Sequence, residues 1–587
     1  MRRAASLMFL LACSSPDGGD DSCRFRTAAD EVTPPPLHTP RWAFRPWISK
    51  DISDDADTRA FVRGFEERGI PVGAVVFDSP WETHYNTFVV NESRYPAFDR
   101  LVADLHAKDI RAVMWVTQMV NRTGFDLELG GDSYSGPSPN YEEGKRCGFY
   151  VDNGSDNLWW KGSGSGLDFF DPEAVGWWHR QQDALYAKGI DGWKLDFGEE
   201  YLANEFETDA GMTTRQAYSE AYYADFLAYG ASKRPEFVTM VRPYDGSYGM
   251  PGRFFAKKEH APVGWVGDNR RDWIGLADAL DHMFRSAAAG YVVIGSDIGG
   301  YLDRDDLDLT GDEIPFDTLV FARWTALGAL NPFMQLHGRA NITPWTVPDH
   351  TDETVALYRY WATLHDELVP FWYSASRAAE AGGPNVMRPI GNEASWQNDY
   401  RYTLGEAFLV APILDATSTR DIVLPAGRWY DWWRPGDAAI DGAQTLTAYA
   451  MPARERFPLF VREGAIVPMN VASAVTGLGT AARAGALTLL VWPGAAQTQF
   501  ALVDEDDAAT TITAAAPITI SRVLRPTYLR IRRDTAPTTV RANAQPLTMQ
   551  PTDAALDAAT TGWRYDAATR SLWVKVAPGG AVVIDAS

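Results

Sequence analysis

Basic charge is what this chain most lacks. Against 54 Lys and Arg stand 77 Asp and Glu, a formal net charge of −23 over 587 residues. So acidic a surface disfavours a nucleic-acid partner, which needs a basic face to replace counterions on phosphate. Cysteine is nearly as scarce, with three in all, Cys13, Cys23 and Cys147. None lies in a CxxC pair or beside a His at ligand spacing, so no zinc site is implied. Beyond the N-terminus there is no apolar run of about 18 residues, which excludes a helical membrane span. Nor is there a G-x-S-x-G nucleophile elbow or an H-E-x-x-H metal helix. The triplet DFG at 196–198 suits a kinase only with a Gly-rich phosphate loop and an H-R-D loop ahead of it, and neither is present.

What is present describes an ordinary folded protein, 45% hydrophobic and 22% charged. Its length exceeds one hydrophobic core and calls for about two to four domains. Aromatics reach 12%, with 22 Trp. Flat apolar faces stack on sugar rings, though Trp fills large cores as readily. The opening "MRRAASLMFLLACSS" has two Arg, a short apolar run and small residues before Cys13. That is the pattern of an export signal of the bacterial lipoprotein type, with Cys13 as the lipidated residue, or else of a soluble export signal. It points to an exported, membrane-anchored lipoprotein, periplasmic or at the cell surface. In an oxidising compartment Cys23 and Cys147 are left as either a bridge or two free thiols.

From about residue 40, short apolar strands alternate with helical stretches. The strands fall at 41–49, 71–79, 110–118, 192–198, 236–242, 263–269, 291–299 and 332–338. They are nearly continuous in apolar residues, as expected of parallel strands covered on both faces. Among the helices, 55–69 places Ala60, Phe61, Gly64 and Phe65 on one face and stops at Gly69. Eight such units fit a (β/α)₈ barrel. After about 370, short strands with Pro and Gly turns take over, the texture of one or two β-sandwiches. The reading divides the chain into a signal and tether (1–39), a barrel (40–370), a proximal β-sandwich (371–470) and a distal one (471–587).

Seven polar residues, Asp78, Gln118, Asp196, Arg242, Asp268, Asp297 and His337, sit at the carboxyl ends of seven strands, which in a barrel meet at one mouth. A helix cap explains one such Asp; it does not explain seven residues. Two carboxylates from separate strands suit glycosidic bond cleavage, one ionised to attack the anomeric carbon, one protonated to serve the leaving oxygen. Lys194, two residues before Asp196 on the same strand face, favours its ionised form. An apolar wall at Trp265 would raise Asp268; Arg270 and Arg271 would instead hold it ionised.

The motifs "DGWKLDFGE", "GWVGDNRRDW", "IGSDIGGY" and "RWTALGALNPFMQLHG", with "WWKGSGSGLDFFDPEAVGWW" ahead of them and "NVMRPI", "FLVAPIL" and "LPAGRWYDWW" after, are similar in order and spacing to those of glycoside hydrolase family 31. The resemblance covers roughly 40–510. It implies a (β/α)₈ barrel with attached β-sandwiches, a retaining α-glycosidase or α-transglycosylase acting on an oligosaccharide or α-glycoside, and no cofactor or metal. It implies Asp196 as nucleophile, Asp268 as general acid/base, Arg242 as the brace of the sugar, and Asp78, Asp297 and His337 as partners of its hydroxyls. Lys194 and Trp115 line the same pocket. The chain departs from the resemblance in lacking the usual N-terminal β-sandwich, in a long insertion at 121–165 placed to cover the mouth, and in Gln335 where an Arg is common. α-Glucosidase, α-xylosidase and α-galactosidase types all stay open. The reading from another class is a non-catalytic glycan-binding lipoprotein, which would not need both aspartates.

Overall fold

The computed structural model describes residues 21–305, 311–397, 399–451, 453 and 456–587. Cys13 and the export signal lie outside them.

Eight parallel strands form the barrel: β1 (Trp47–Lys50), β2 (Ala74–Phe77), β3 (Arg111–Val116), β4 (Gly192–Leu195), β5 (Val238–Val241), β6 (Val263–Trp265), β7 (Ile294–Gly295 and Asp297–Ile298, broken only at Ser296) and β8 (Gln335–Leu336). The two halves of β7 close the ring. Ile294 pairs with Gly264 on β6, whereas Asp297 and Ile298 pair with Gln335 and Leu336 on β8. In turn β8 pairs with β1 through Trp47 and Ile48. Strands β2, β4 and β5 are buried at every residue, as parallel strands covered on both faces are, Lys194 of β4 included.

Helices α1 (Asp55–Glu67), α2 (Phe98–His106), α3 (Pro172–Lys188), α4 (Arg215–Lys233), α5 (Trp273–Ala289) and α6 (Thr318–Ala329) return the chain between strands, and α7 (Thr351–Glu367) and α8 (Val369–Glu380) follow β8. Helix α1 is capped by the Asp54 side chain, which accepts from the Asp57 N–H. Its buried face holds Phe61, Val62, Gly64 and Phe65; Ala60, expected there, is exposed, so the apolar stripe is rotated toward Val62. Gly64 is required because a Cβ there would meet the Trp345 ring at 2.5 Å. Many tryptophans do serve as core, Trp47, Trp193 and Trp324 among them.

No strand precedes β1 among the described residues; the segment from Asp21 to Phe44 runs as short 3₁₀ turns. It is tied to the barrel by Glu173, which accepts from the Arg26 N–H at 2.8 Å, and by the Cys23–Cys147 disulfide. Of the two states left open for those cysteines, the bridge is the one formed. Between β3 and β4 the long insertion builds a three-stranded antiparallel sheet (Met119–Gly124, Gly162–Gly166, Asn157–Trp159) and the helix Tyr141–Cys147.

After α8 comes a six-stranded sheet from Met387–Pro389 to Leu459–Arg462, with a separate hairpin of Thr419–Leu424 and Gln444–Ala450. Its buried residues, such as Phe408 and Leu459, are continuous with the barrel core. The distal unit is a true sandwich of a five-stranded and a six-stranded sheet, beginning with Ile466–Met469. It has its own core, with Leu489 and Leu529 from one sheet facing Ile512 and Ile584 from the other. Among the described residues no helix is long and apolar enough to cross a membrane.

Candidate active site

Seven of the eight strands bring a charged or imidazole side chain to one mouth, Asp51, Asp78, Lys194 with Asp196, Arg242, Asp268, Asp297 and His337, and β3 brings Trp115. Lys194 points inward from β4, and its ammonium donates to Asp78 Oδ2 at 2.7 Å and to His337 Nε2 at 3.0 Å. Asp51, just past β1, places Oδ1 3.5 Å from His337 Nε2. Asp51, Asp78 and His337 have the spacing of a metal site, but the Lys194 ammonium already supplies the cation they enclose. Burial and the adjacent Lys194 hold His337 well below its ordinary value, consistent with a neutral ring accepting at Nε2.

The second cluster surrounds Arg242, at the end of β5 and fully buried. Its Nη2 donates to Asp196 Oδ1 at 2.8 Å and to Asp268 Oδ2 at 3.0 Å, and its Nη1 bonds Asp245. Two oxygens bonded to one nitrogen at those distances lie within about 6 Å of each other, inside the reach of paired glycosidase carboxyls, roughly 5–9.5 Å. Asp196 also accepts from Trp115 Nε1 at 3.0 Å and from the Phe197 N–H at 2.9 Å. Phe197 and Trp265 lie under the Arg242 guanidinium, 3.9 and 4.5 Å from ring centre to Cζ.

The two carboxyls are driven apart. Burial pushes Asp196 up, but Arg242 and Lys194, helped by Trp115 and the Phe197 N–H, outweigh it and hold Asp196 below the usual carboxylate value. Burial also pushes Asp268 up; there the Arg242 cation does not prevail, and the negative Asp196 adds to the rise. Of the two, Asp268 is therefore the carboxyl biased toward holding a proton and Asp196 the one biased toward ionisation. Arg270 and Arg271 take no part: the first pairs with Asp272 and Asp305, the second with Glu313 and the Ile314 carbonyl.

Asp78, Trp115, Lys194, Asp196 and Asp268 line the pocket itself. Arg242, Asp297 and His337 stand behind that wall, each at most 2% exposed. Asp297 accepts from Gln335 Nε2 at 2.7 Å. Burial, only partly offset by Lys194, pushes Asp297 to about 7. Gln118 is buried near Gly198 rather than on the pocket wall.

Several pocket residues escape the strand-end rule. The 121–165 insertion does cover the mouth, contributing Leu127, Glu128, Trp160 and Lys161. Lys161, buried, donates to both oxygens of Asp126 at 2.9 Å and to Glu128 Oε2 at 2.5 Å. Tyr301, past β7, bonds Glu128 at 2.9 Å and Asp51 at 2.8 Å, so it locks the insertion to the barrel. Trp160 stacks on Phe197 with ring centres 5.6 Å apart. Only Asp51 carried a usable signal, since it too follows a barrel strand; the others come from loops without periodicity.

Residues 36–375 match the model of the glycosyl hydrolases family 31 TIM-barrel domain, and 383–467 that of the family's C-terminal domain. An α-xylosidase of Emericella nidulans is 23% identical over 462 residues, covering 75% of this chain and 55% of the relative. An isomaltosyltransferase of Sporosarcina globispora is 23% identical over 607 residues, covering 93% and 52%. Among solved structures, the cycloalternan-forming enzyme of Listeria monocytogenes, in complex with a pentasaccharide substrate, superposes with a TM-score of 0.79 at 20% identity, covering 94% of this chain and 54% of that one. That likeness shows the fold. The chain spans about half the length of these relatives.

Proposed function

The chain belongs to glycosyl hydrolase family 31, and from that premise we propose that it is a retaining α-glycoside hydrolase whose nucleophile is Asp196 and whose acid/base is Asp268. The observation that carries this reading is the single Arg242 nitrogen shared by two buried carboxyls, Asp196 held below and Asp268 pushed above the ordinary carboxylate value. Asp196 attacks the anomeric carbon of a terminal α-linked sugar while Asp268 gives its proton to the departing glycosidic oxygen. The C–O bond to the aglycone breaks and a glycosyl-aspartate forms with inverted configuration. Asp268, now a carboxylate, takes a proton from water as that water attacks the same carbon; the ester bond to Asp196 breaks and the α-configuration returns. Arg242 lies behind the pair, leaving their pocket side to the sugar. Asp78 and Lys194 reach the hydroxyls directly, whereas Asp297 and His337 fix the floor.

The test is hydrolysis of aryl α-glucoside, α-xyloside and α-galactoside by Asp196→Ala and Asp268→Ala. Both variants should lose activity, and azide should yield an α-glycosyl azide only in Asp268→Ala, any azide product of Asp196→Ala having the inverted β-configuration. Full activity in both would end the assignment.

A second reading, transfer of the glycosyl group to another saccharide, is favoured by the isomaltosyltransferase, which matches along 93% of the chain. The same first step serves it, and a sugar hydroxyl replaces water in the second. Product analysis at high substrate concentration separates the two.

We also propose that the protein is exported and held at the membrane by lipid on Cys13. The Cys23–Cys147 bridge supports an oxidising compartment. Labelling with a radioactive fatty acid, abolished by Cys13→Ala, tests it.

A further inference from the structure

A cavity of about 400 Å³ lies far from the barrel mouth, where three parts of the chain meet. Helix α7 contributes Tyr360, the strand Arg428–Asp431 and its turn give Tyr430, Trp432 and Trp433, and the distal sandwich gives Trp492, Arg530 and Arg532. The volume is that of a small-ligand site, roughly 300–1,000 Å³, and junctions between domains are where such sites concentrate.

Two features set it apart from a packing defect. The first is its aromatic wall. Trp432, Trp433 and Trp492 are all half-buried rather than buried, with Trp432 and Trp492 ring centres 6.5 Å apart at 36°. Their indole N–H groups that are spoken for bind protein: Trp432 reaches Tyr360 at 3.3 Å and Trp433 the Phe457 carbonyl at 2.6 Å. The Arg456 guanidinium covers Trp433, 4.6 Å from its ring centre, which leaves the half-buried Trp432 and Trp492 as the aromatic surface for a sugar ring.

The second is a guanidinium with no acid hydrogen-bonded to it, Arg530, in a chain of net charge −23; its nearest electrostatic counterweight, Asp566, does not bond it. Arg530 makes one hydrogen bond, Nε to Ser571 Oγ at 3.1 Å, and no ion pair among the described residues. Its two Nη groups are left to the cavity. Burial pushes the guanidinium down to about 10, so it is still charged at neutral pH. Arg532 stands beside it, bonded to the exposed Asp534 at 2.9 Å and the Asp437 carbonyl at 2.8 Å. The acid in the lining, Asp431, cannot neutralise them: it accepts from the Trp433 N–H, Tyr449 and Arg434. A half-buried guanidinium with two unfilled Nη groups fits a planar bidentate anion.

We propose that this cavity is a second, non-catalytic saccharide site selective for a sugar bearing an acidic group, a carboxylate or a sulfate. The acid pairs with Arg530 and the ring faces lie on Trp432 and Trp492. The site goes beyond the catalytic reading and does not depend on it.

The test uses β-linked probes, which keep α-bond cleavage out of the readout: β-1,4-trimannuronate, neutral β-1,4-mannotriose and a singly sulfated mannotriose, titrated into the full chain by calorimetry with tryptophan fluorescence in parallel. Expected is saturable 1:1 binding of an acidic probe, at least tenfold tighter than the neutral one and weakened by salt. The two acidic probes distinguish carboxylate from sulfate. Arg530→Gln and Trp492→Ala should each raise Kd at least tenfold while hydrolysis of aryl α-glycosides is unchanged. Arg530→Lys, which keeps the charge and loses the fork, should fall between Gln and wild type. Equal binding of the neutral probe, no binding of either acidic probe, or an unchanged Kd in Arg530→Gln would each overturn the proposal.

Discussion

Asp196 and Asp268 accept hydrogen bonds from the same nitrogen, Arg242 Nη2, at 2.8 and 3.0 Å. That shared donor fixes the carboxyls relative to one another and shares one positive charge between a group held below and a group pushed above the ordinary carboxylate value. Arg242→Met should therefore do two things. It should cost about 100-fold or more in kcat/KM, the scale of losing a preorganised charge contact. It should also let Asp196 rise, so the acidic limb of the pH–rate profile moves to higher pH. In wild type that limb lies below the ordinary carboxylate value and the alkaline limb reports the raised Asp268, both as properties of the coupled pair. An unmoved acidic limb in the variant would show that Arg242 does not set the pair.

The insertion is held by charge as much as by packing. Lys161, 1% exposed in its side chain, neutralises Asp126 and Glu128. Lys161→Met removes the ammonium that both carboxyls bond, a loss of about 3–5 kcal/mol on the scale of broken buried pairs. The unfolding temperature should fall and KM should rise, because Glu128 and Trp160 on the insertion line the pocket. Unchanged KM with lowered stability would make the insertion a cover without substrate contact.

Asp297 gives a pH dependence of defined sign. Its carboxyl is pushed to about 7 by burial, above the ordinary value of 3.8. Between those two values the folded protein keeps the proton that the unfolded chain releases, so this group costs stability as pH rises through the window. Asp297→Asn removes that cost. The Tm difference between variant and wild type should shift in the variant's favour from pH 4 to pH 7 and level off above. A difference that is flat across that range would show Asp297 to be ionised throughout.

The disulfide joins residues 124 positions apart and pins the N-terminal segment to the insertion helix. Removing it as Cys23→Ala with Cys147→Ala should cost about 2–4 kcal/mol, with the Tm falling accordingly. Limited proteolysis should then cut first near Phe25, which loses its tether. Identical Tm and cleavage pattern would show that the Glu173 contacts suffice.

The barrel was legible because strands covered on both faces leave unbroken apolar runs, and because polar residues stand where those runs end. Of the residues that rule named, Asp78, Asp196 and Asp268 line the pocket, Arg242, Asp297 and His337 stand behind its wall, and Gln118 lies away from it. The rule passed over Asp51 because the first strand was placed at 41–49, whereas the ladder runs over Trp47–Lys50 and puts Asp51 at its exit. It had no access to Glu128, Trp160, Lys161 or Tyr301, whose places are set by loops folding over the mouth. The partners of Arg270 and Arg271 were equally hidden, since Asp305 and Glu313 lie some forty residues away in sequence. Sequence could name the charges near Asp268 but not which of them it faces.

The most direct measurement is covalent trapping. Wild-type protein is incubated with 5-fluoro-α-glucosyl, α-xylosyl and α-galactosyl fluorides, digested and mapped by mass spectrometry. The account predicts one added glycosyl group, in the peptide that contains Asp196, and none in Asp196→Ala. A label on any other carboxyl, or turnover of these fluorides by Asp196→Ala, would contradict it.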